Sequence, residues 1–144
     1  MNSSSRLVSI ILPCYQHRPF LIQRLDSIAH QTHPFAELIV LDDNSDDGSR
    51  ELLCEVAGRY AFKIADLSTI NSGSPYRQWL KGLTHAEGEY VWIAKVDDTA
   101  APDFLSSLVV ALEKWPEAVF ATAACFHAQR RFEPASCGWG NACF

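Results

Sequence analysis

The sequence predicts an α/β fold in which helices cover both faces of a mostly parallel sheet. Short runs of β-branched and aliphatic residues, such as residues 7–12 and 38–41, alternate with segments whose apolar residues recur at helical spacing. Each helical segment is about as long as a crossover between parallel strands requires. A chain of 144 residues, 48% of them hydrophobic, is typical of a single domain with one core.

Five runs of strand-forming residues predict the strands of this sheet. The first run, LVSIIL at residues 7–12, is stopped by Pro13, and the fourth, YVWIA at residues 90–94, is rich in aromatic and β-branched residues. The other predicted strands cover residues 38–41, 62–67 and 119–124. Residues 126–144 show no clear period, so no element is assigned to them.

Four helices are predicted between these strands from apolar residues at helical spacing. Pro19 suits the first turn of the first helix, and Asp46 and Asp47 suit the turn or cap that starts the second. The other three helices cover residues 49–60, 75–85 and 102–113. The residues predicted to face inward are Tyr76, Trp79, Leu80 and Leu83 in the third helix and Phe104, Leu105, Leu108 and Leu112 in the fourth.

Charge and composition argue against several classes of protein. The net charge is −5 and no cluster of Lys and Arg is present, so we expect no nucleic-acid partner. The apolar run at residues 7–12 is too short for a secretory signal or a transmembrane segment. Five cysteines without a signal peptide indicate free thiols in a reducing compartment, which predicts a cytoplasmic protein.

Three loops with chemically useful side chains follow the first, second and fourth strands. Right-handed crossovers place the carboxyl ends of parallel strands at one edge of the sheet, where α/β proteins bind their ligands. The ring of Tyr15 can stack on a base there. The acidic pair after the second strand, Asp42 and Asp43, can accept hydrogen bonds from a base or a ribose. Asp97 and Asp98 suit a divalent cation that bridges to phosphate, although the alternative is a pair of solvated turn residues.

Two pairs of stretches carry a resemblance to a known family. VSIILPCYQHRPFLIQRLDSIAHQT and ELIVLDDNSDDGSRELL resemble the opening of the inverting GT-A glycosyltransferases of the large family-two group. HAEGEYVWIAKVDD, followed by PDFLSSLVVALEKWP, resembles that family's strand with its DXD-like metal motif and the helix after it. The resemblance implies a Rossmann-like GT-A fold, incomplete at the C-terminus, with a nucleotide-sugar-binding half-domain at residues 7–124 and an irregular tail at 125–144.

The resemblance also implies a reaction and a set of site residues. The family transfers a sugar from a UDP-, dTDP- or GDP-linked donor to a saccharide or lipid-linked acceptor hydroxyl, with inversion, in cell envelope polysaccharide biosynthesis. The implied location is the cytoplasm or the inner face of the membrane, and the implied cofactor is Mn²⁺ or Mg²⁺. The matching nucleotide-binding positions are Pro13, Tyr15, Asp42, Asp43 and Asp97, and the matching metal-binding positions are Asp98 and Asp97.

Four positions depart from the family pattern. Gln16 stands where Asn is frequent, and Trp79 and Leu80 stand where an Arg-Asn pair is frequent. Lys95 stands where an acidic residue is common. These departures leave the sugar nucleotide open, and either Arg77 or Lys81 could supply positive charge near the diphosphate.

The end of the chain carries no motif that resembles the family's catalytic base. Glu133 is the only carboxylate in residues 126–144, and its neighbours do not match. We therefore expect a truncated glycosyltransferase that binds a nucleoside diphosphate weakly, transfers sugar poorly and self-associates. The alternative is a catalytically inactive nucleotide-binding remnant. A nucleotidyltransferase or a dinucleotide-binding enzyme would need a glycine-rich loop after the first strand, where PCYQHRP has no glycine.

Overall fold

A four-stranded, fully parallel sheet forms the centre of the molecule. The computed structural model describes residues 7–124 and the backbone of residues 126–129 and 131–134. The strands of the sheet are β1 (Val8–Cys14), β2 (Glu37–Asp42), β3 (Lys63–Leu67) and β4 (Tyr90–Ile93), and their spatial order is β3-β2-β1-β4. The predicted parallel sheet is therefore confirmed.

Helices cover both faces of the sheet, as the sequence predicts. They are α1 (Arg18–Ala29), α2 (Ser49–Tyr60), α3 (Pro75–Leu83) and α4 (Phe104–Lys114). Alternate residues of β1 point to opposite faces, so Val8, Ile10 and Leu12 join the core formed with α1, α2 and α4. Ile11 belongs to a smaller cluster on the opposite face, which α3 covers.

The sequence predicted that Pro13 would end β1, and this prediction is wrong. Pro13 lacks an N–H, but it stands at a point where the sheet needs no hydrogen bond from that N–H. The carbonyl groups of Leu7 and Ile11 accept hydrogen bonds from the start and end of β4, from Tyr90 and Ala94. The backbone groups of Pro13 point toward the same side of β1 as those of Leu7 and Ile11, because these positions are separated by even numbers of residues. On that side β4 has already ended, so no acceptor is left there without a donor. The strand therefore continues to Cys14, in register with β2.

The predicted inward face of α3 is wrong. Tyr76 and Leu80 are each 65% exposed, whereas Gln78 and Gly82 are buried. Gly82 packs so closely on Ile11 of the sheet that a side chain there would clash with it. This close approach turns the apolar stripe of α3 outward, and an exposed apolar stripe is the kind of surface through which the predicted self-association would occur. Self-association itself stays a prediction.

The chain after α4 also differs from the prediction. Residues 119–124 are not a strand, and Val119 is 93% exposed. Three of these six residues are alanines, which are poor strand formers. Beyond them, where no element was assigned, two short antiparallel strands occur, β5 (Phe126–Gln129) and β6 (Arg131–Pro134). Glu133, the carboxylate weighed as a base, lies in β6, and its side chain is outside the described residues. Across the described residues, no helix is long and apolar enough to span a membrane.

Candidate functional site

The carboxyl ends of all four strands of the central sheet lie at one edge. The chain runs from β1 outward to β2 and β3, and then returns to add β4 on the other side of β1. This reversal is a topological switch point, and α/β sheets bind ligands in the crevice that opens there. Four loops, 15–17, 43–48, 68–74 and 94–103, surround that crevice.

The loops after β1 and β2 are bonded to each other. The N–H of Asp43 donates to the carbonyl of Cys14 at 2.9 Å, and the N–H of Gln16 donates to Oγ of Ser45 at 3.0 Å. Gln16 has a left-handed φ of 56°. Pro13 pairs with β2 just before this junction. The structure thus brings the backbone at the predicted residues Pro13 and Tyr15 to the same strand ends as the first acidic pair, and Tyr15 is 44% exposed.

Asp42, the first carboxylate of that pair, is completely buried and organises the end of β2. Its Oδ2 accepts hydrogen bonds from the Ser45 N–H and from Nε of Arg50, both at 3.1 Å. Arg50 also donates to the carbonyl of Ser68 in the loop after β3. Within the described part of the chain, Oδ1 of Asp42 has no hydrogen-bond partner. Asp42 therefore combines a structural ion pair with one buried carboxylate oxygen whose hydrogen-bonding capacity the described residues leave unused.

Asp43 holds the loop after β3 and the start of α3 against the sheet. Its Oδ1 accepts from the Ser72 N–H at 2.9 Å and from Nε2 of Gln78 at 2.7 Å, and its Oδ2 accepts from Oγ of Ser72 at 2.8 Å. The sequence analysis placed base or ribose contacts on this residue but missed Ser72 and Gln78. Their polar character in a helix and a loop gives no local sign of a buried partner.

The second acidic pair lies in a tight turn beyond β4, on the far side of β1 from the first pair. The Asp98 N–H donates to the carbonyl of Lys95 at 3.4 Å, and Nζ of Lys95 lies 3.4 Å from Oδ1 of Asp97. Both carboxylates are exposed. Gln31 anchors the distal part of this loop, because its side chain donates to the Ala101 carbonyl at 2.8 Å and accepts from the Leu105 N–H at 2.9 Å.

Arg24 is a charged residue near this turn that the sequence analysis missed. Its side chain is almost fully buried in α1, and its guanidinium carbon lies 4.9 Å from the centre of the Trp92 ring. Burial lowers the pKa of Arg24 to about 10, while the charges of Asp98 and Asp97 act to raise it. The available signal was helical spacing, because position 24 falls on the same face as Leu21.

The two cations considered for the diphosphate are engaged elsewhere. Lys81 forms an ion pair with Asp66 at the end of β3, and its ammonium lies 3.3 Å from Oγ of Ser68. Arg77 donates to the Ser72 carbonyl at 3.4 Å. Lys95 is the single Lys or Arg residue in loop 94–103.

The donor set at the Asp97–Asp98 turn fits a divalent cation that arrives with phosphate. Among residues 7–124, no three His, Cys, Asp or Glu side chains group together as a metal site. Mg²⁺ sites of nucleotide enzymes are typically completed by phosphate oxygens and use one or two protein carboxylates. Two exposed neighbouring carboxylates at the switch point match that requirement, and they do not match a metal held by protein alone.

Cys14 lies at the centre of the site edge, but its thiol is protected. Burial raises the pKa of Cys14 to about 11, and the charges of Asp42 and Asp47 add to this shift while a hydrogen bond with Ser49 opposes it. The thiolate is the reactive form. We expect iodoacetamide at pH 8 to modify exposed Cys54 at least about tenfold faster than Cys14, measured by peptide mass mapping. Equal rates would contradict this environment.

A parallel sheet with this strand order and with polar loops at its carboxyl edge is typical of α/β proteins that bind a ligand at the switch point. The sequence model of the family described as Glycosyl transferase family 2 matches residues 9–141. The chain therefore belongs to this family, and its fold is the Rossmann-like GT-A fold that the resemblance implied.

Individual relatives support the same assignment. Glycosyltransferase GlyG of Streptococcus pneumoniae is 29% identical over 104 residues, which cover 72% of this chain and 34% of GlyG. The structure of Staphylococcus aureus TarS 1-349 in complex with UDP-GlcNAc is 28% identical with a TM-score of 0.66, covering 75% of this chain and 31% of that one.

The mannosyltransferase PcManGT of Pyrobaculum calidifontis, solved in complex with GDP-Man and Mn²⁺, is also 28% identical. Its TM-score is 0.69, and the match covers 76% of this chain and 33% of that one. The chain thus spans about a third of the length of each of these three relatives.

Proposed function

We propose that this chain provides the donor-binding half-domain, residues 7–124, of a glycosyltransferase that uses a nucleotide-diphospho-sugar. The observation that carries the proposal is the placement of Tyr15 and the Asp42–Asp43 pair at adjacent strand ends, with the Asp97–Asp98 turn across the switch point. The complexes of TarS with UDP-GlcNAc and of PcManGT with GDP-Man support a nucleotide-sugar ligand. The sugar would pass to an acceptor hydroxyl, with inversion, in the synthesis of a cell envelope polysaccharide.

The nucleoside is proposed to bind at the ends of β1 and β2. The exposed ring of Tyr15 offers a stacking surface for the base, and Pro13 lies two residues before it, where the end of β1 pairs with β2. Oδ1 of Asp42 is a buried acceptor without a partner in the described residues, and a base N–H is a donor that would satisfy it. Asp43 contributes by holding the Ser72 loop in place, and one acceptor position on its Oδ2 is left for a ribose hydroxyl.

The diphosphate is proposed to bind beside the Asp97–Asp98 turn. Asp98 would hold Mn²⁺ or Mg²⁺, with Asp97 as its neighbour. A divalent cation bound there would neutralise the charge that develops on the departing nucleoside diphosphate. Gln31 holds the distal part of the loop that carries both carboxylates, through Ala101 and Leu105. No residue of this chain is assigned the role of the base that deprotonates the acceptor.

The test of this proposal is a Tyr15→Ala variant. A stacking contact between a base and an aromatic ring is worth ~1–3 kcal/mol, so the affinity for UDP or GDP should fall by roughly 5-fold to 150-fold in calorimetric titrations with Mn²⁺. The matched control is Trp115→Ala, since Trp115 is another exposed aromatic residue, at the end of α4 and away from the loops. Wild-type affinity in Tyr15→Ala would remove the nucleoside from this edge.

A further inference from the structure

The turn after β4 contains a lysine, Lys95, which lies between the end of the strand and the carboxylates of Asp97 and Asp98 in the sequence. Lys95 follows Ala94, whose N–H donates to the carbonyl of Ile11 at 2.8 Å, so the start of the turn is fixed to the central strand. The i to i+3 hydrogen bond of the turn then brings the Lys95 side chain back over Asp97. The ammonium is 3.4 Å from Oδ1 of Asp97, and the two side chains are 60% and 42% exposed.

The positive charge of Lys95 offsets part of the negative charge of this turn. Its ammonium lies 3.4 Å from Oδ1 of Asp97, so it repels a divalent cation that approaches the empty protein and competes with it for that carboxylate. The guanidinium of Arg24 is a second positive charge on this side of the sheet, and it is buried 4.9 Å from the centre of the Trp92 ring in β4.

The two cations differ in their freedom to move. Arg24 is buried against Trp92 and is held by the packing of α1 on the sheet. Lys95 is on the surface, its exposed ion pair is weak, and its four-carbon stem is flexible. An ammonium group is a good ligand for phosphate oxygens. Lys95 can therefore leave Asp97 when a more negative group arrives at the switch point.

We propose that Lys95 exchanges partners during donor binding: it pairs with Asp97 in the free protein and moves to a diphosphate oxygen in the complex, which releases Asp97 and Asp98 to the divalent cation. This proposal rests on the proposed function, because it requires a nucleoside diphosphate at this edge. Lys95 is then a positioning residue that couples the two ligands. The metal binds poorly to the empty protein and well to the diphosphate complex, and the coupling is reciprocal.

The experiment uses Lys95→Met, which keeps an unbranched side chain one atom shorter than lysine and removes its charge. At pH 7.5 and low salt, Mn²⁺ binding to the nucleotide-free protein is measured by electron paramagnetic resonance. UDP and GDP binding in EDTA is measured by calorimetry. We expect Lys95→Met to bind Mn²⁺ about tenfold more tightly and to bind the diphosphate without metal roughly fivefold more weakly. Lys63→Met is the control. Lys63 is exposed at the start of β3, at the edge of the sheet opposite the carboxyl ends of the strands.

Opposite signs in the two measurements are the result that partner exchange predicts. A structural disturbance would weaken both ligands, and a passive surface lysine would change neither, so either result overturns the proposal. If wild-type protein binds UDP or GDP and Mn²⁺ strengthens that binding, but Lys95→Met behaves as wild type, the role of Lys95 is wrong and the proposed function stands. If wild-type protein binds neither nucleotide with or without Mn²⁺, the proposed function fails as well.

Discussion

Asp98→Asn is expected to abolish the increase in nucleoside diphosphate affinity that Mn²⁺ produces. Asparagine keeps the shape of the side chain and the backbone hydrogen bond to Lys95, but it lacks the negative charge with which the carboxylate attracts a divalent cation. Even groups that merely orient metal ligands are worth about 10–100-fold in metal affinity, so the loss should be at least about tenfold. The measurement compares UDP or GDP affinity in Mn²⁺ with that in EDTA.

The control for this variant is Asp103→Asn. Asp103 is an exposed carboxylate at the start of α4, in the same connection but outside the acidic turn. The Asp103→Asn variant should retain the full effect of Mn²⁺ on nucleoside diphosphate affinity. Thermal unfolding should show that Asp98→Asn is as stable as the wild-type protein. An equal effect of Mn²⁺ in wild-type protein and in Asp98→Asn would refute the metal assignment. The expected loss in Asp98→Asn is opposite in sign to the gain expected for Lys95→Met in the free protein.

The order of the elements and the edge of the sheet were predictable because they depend on local patterns. A continuous apolar run such as that of β1 is typical of a strand that is buried on both faces, and Val8 and Ile11 do face opposite layers. Once the strands are parallel, the loops that follow them must lie at one edge. The placement of Tyr15 and Asp43 at the same edge of the sheet required no information beyond this.

The remaining features depend on partners far along the chain. Helical spacing places Arg24 on the inner face of α1, but its contact with Trp92 depends on which strand lies beside β1. Likewise, the apolar residues of α3 have the spacing of a core face, and the helix is turned the other way by the Gln78–Asp43 hydrogen bond and by Gly82. Local periodicity identifies such a stripe but not the surface that it meets.

Gly88→Ala is expected to cause the largest loss of stability, because Gly88 sets the distance between β4 and β1. Its N–H donates to Oγ of Ser9 at 2.8 Å, and an added Cβ would lie 2.6 Å from the Ser9 backbone nitrogen and 2.9 Å from the Leu7 carbonyl oxygen. These backbone atoms cannot rotate away as a side chain can. Overpacking of this kind costs about 3 kcal/mol, measured as the change in the free energy of unfolding in urea.

Gly58→Ala provides the matched control, because the same methyl group should have the opposite effect there. Gly58 lies inside α2, and a Cβ at this position meets no atom within 4 Å. Alanine should stabilise that helix by about 0.5–1 kcal/mol. If Gly88→Ala were as stable as Gly58→Ala, the contact between β4 and β1 would not be as close as the structure has it. The position of Asp98 depends on that contact, since the acidic turn begins where β4 leaves the sheet.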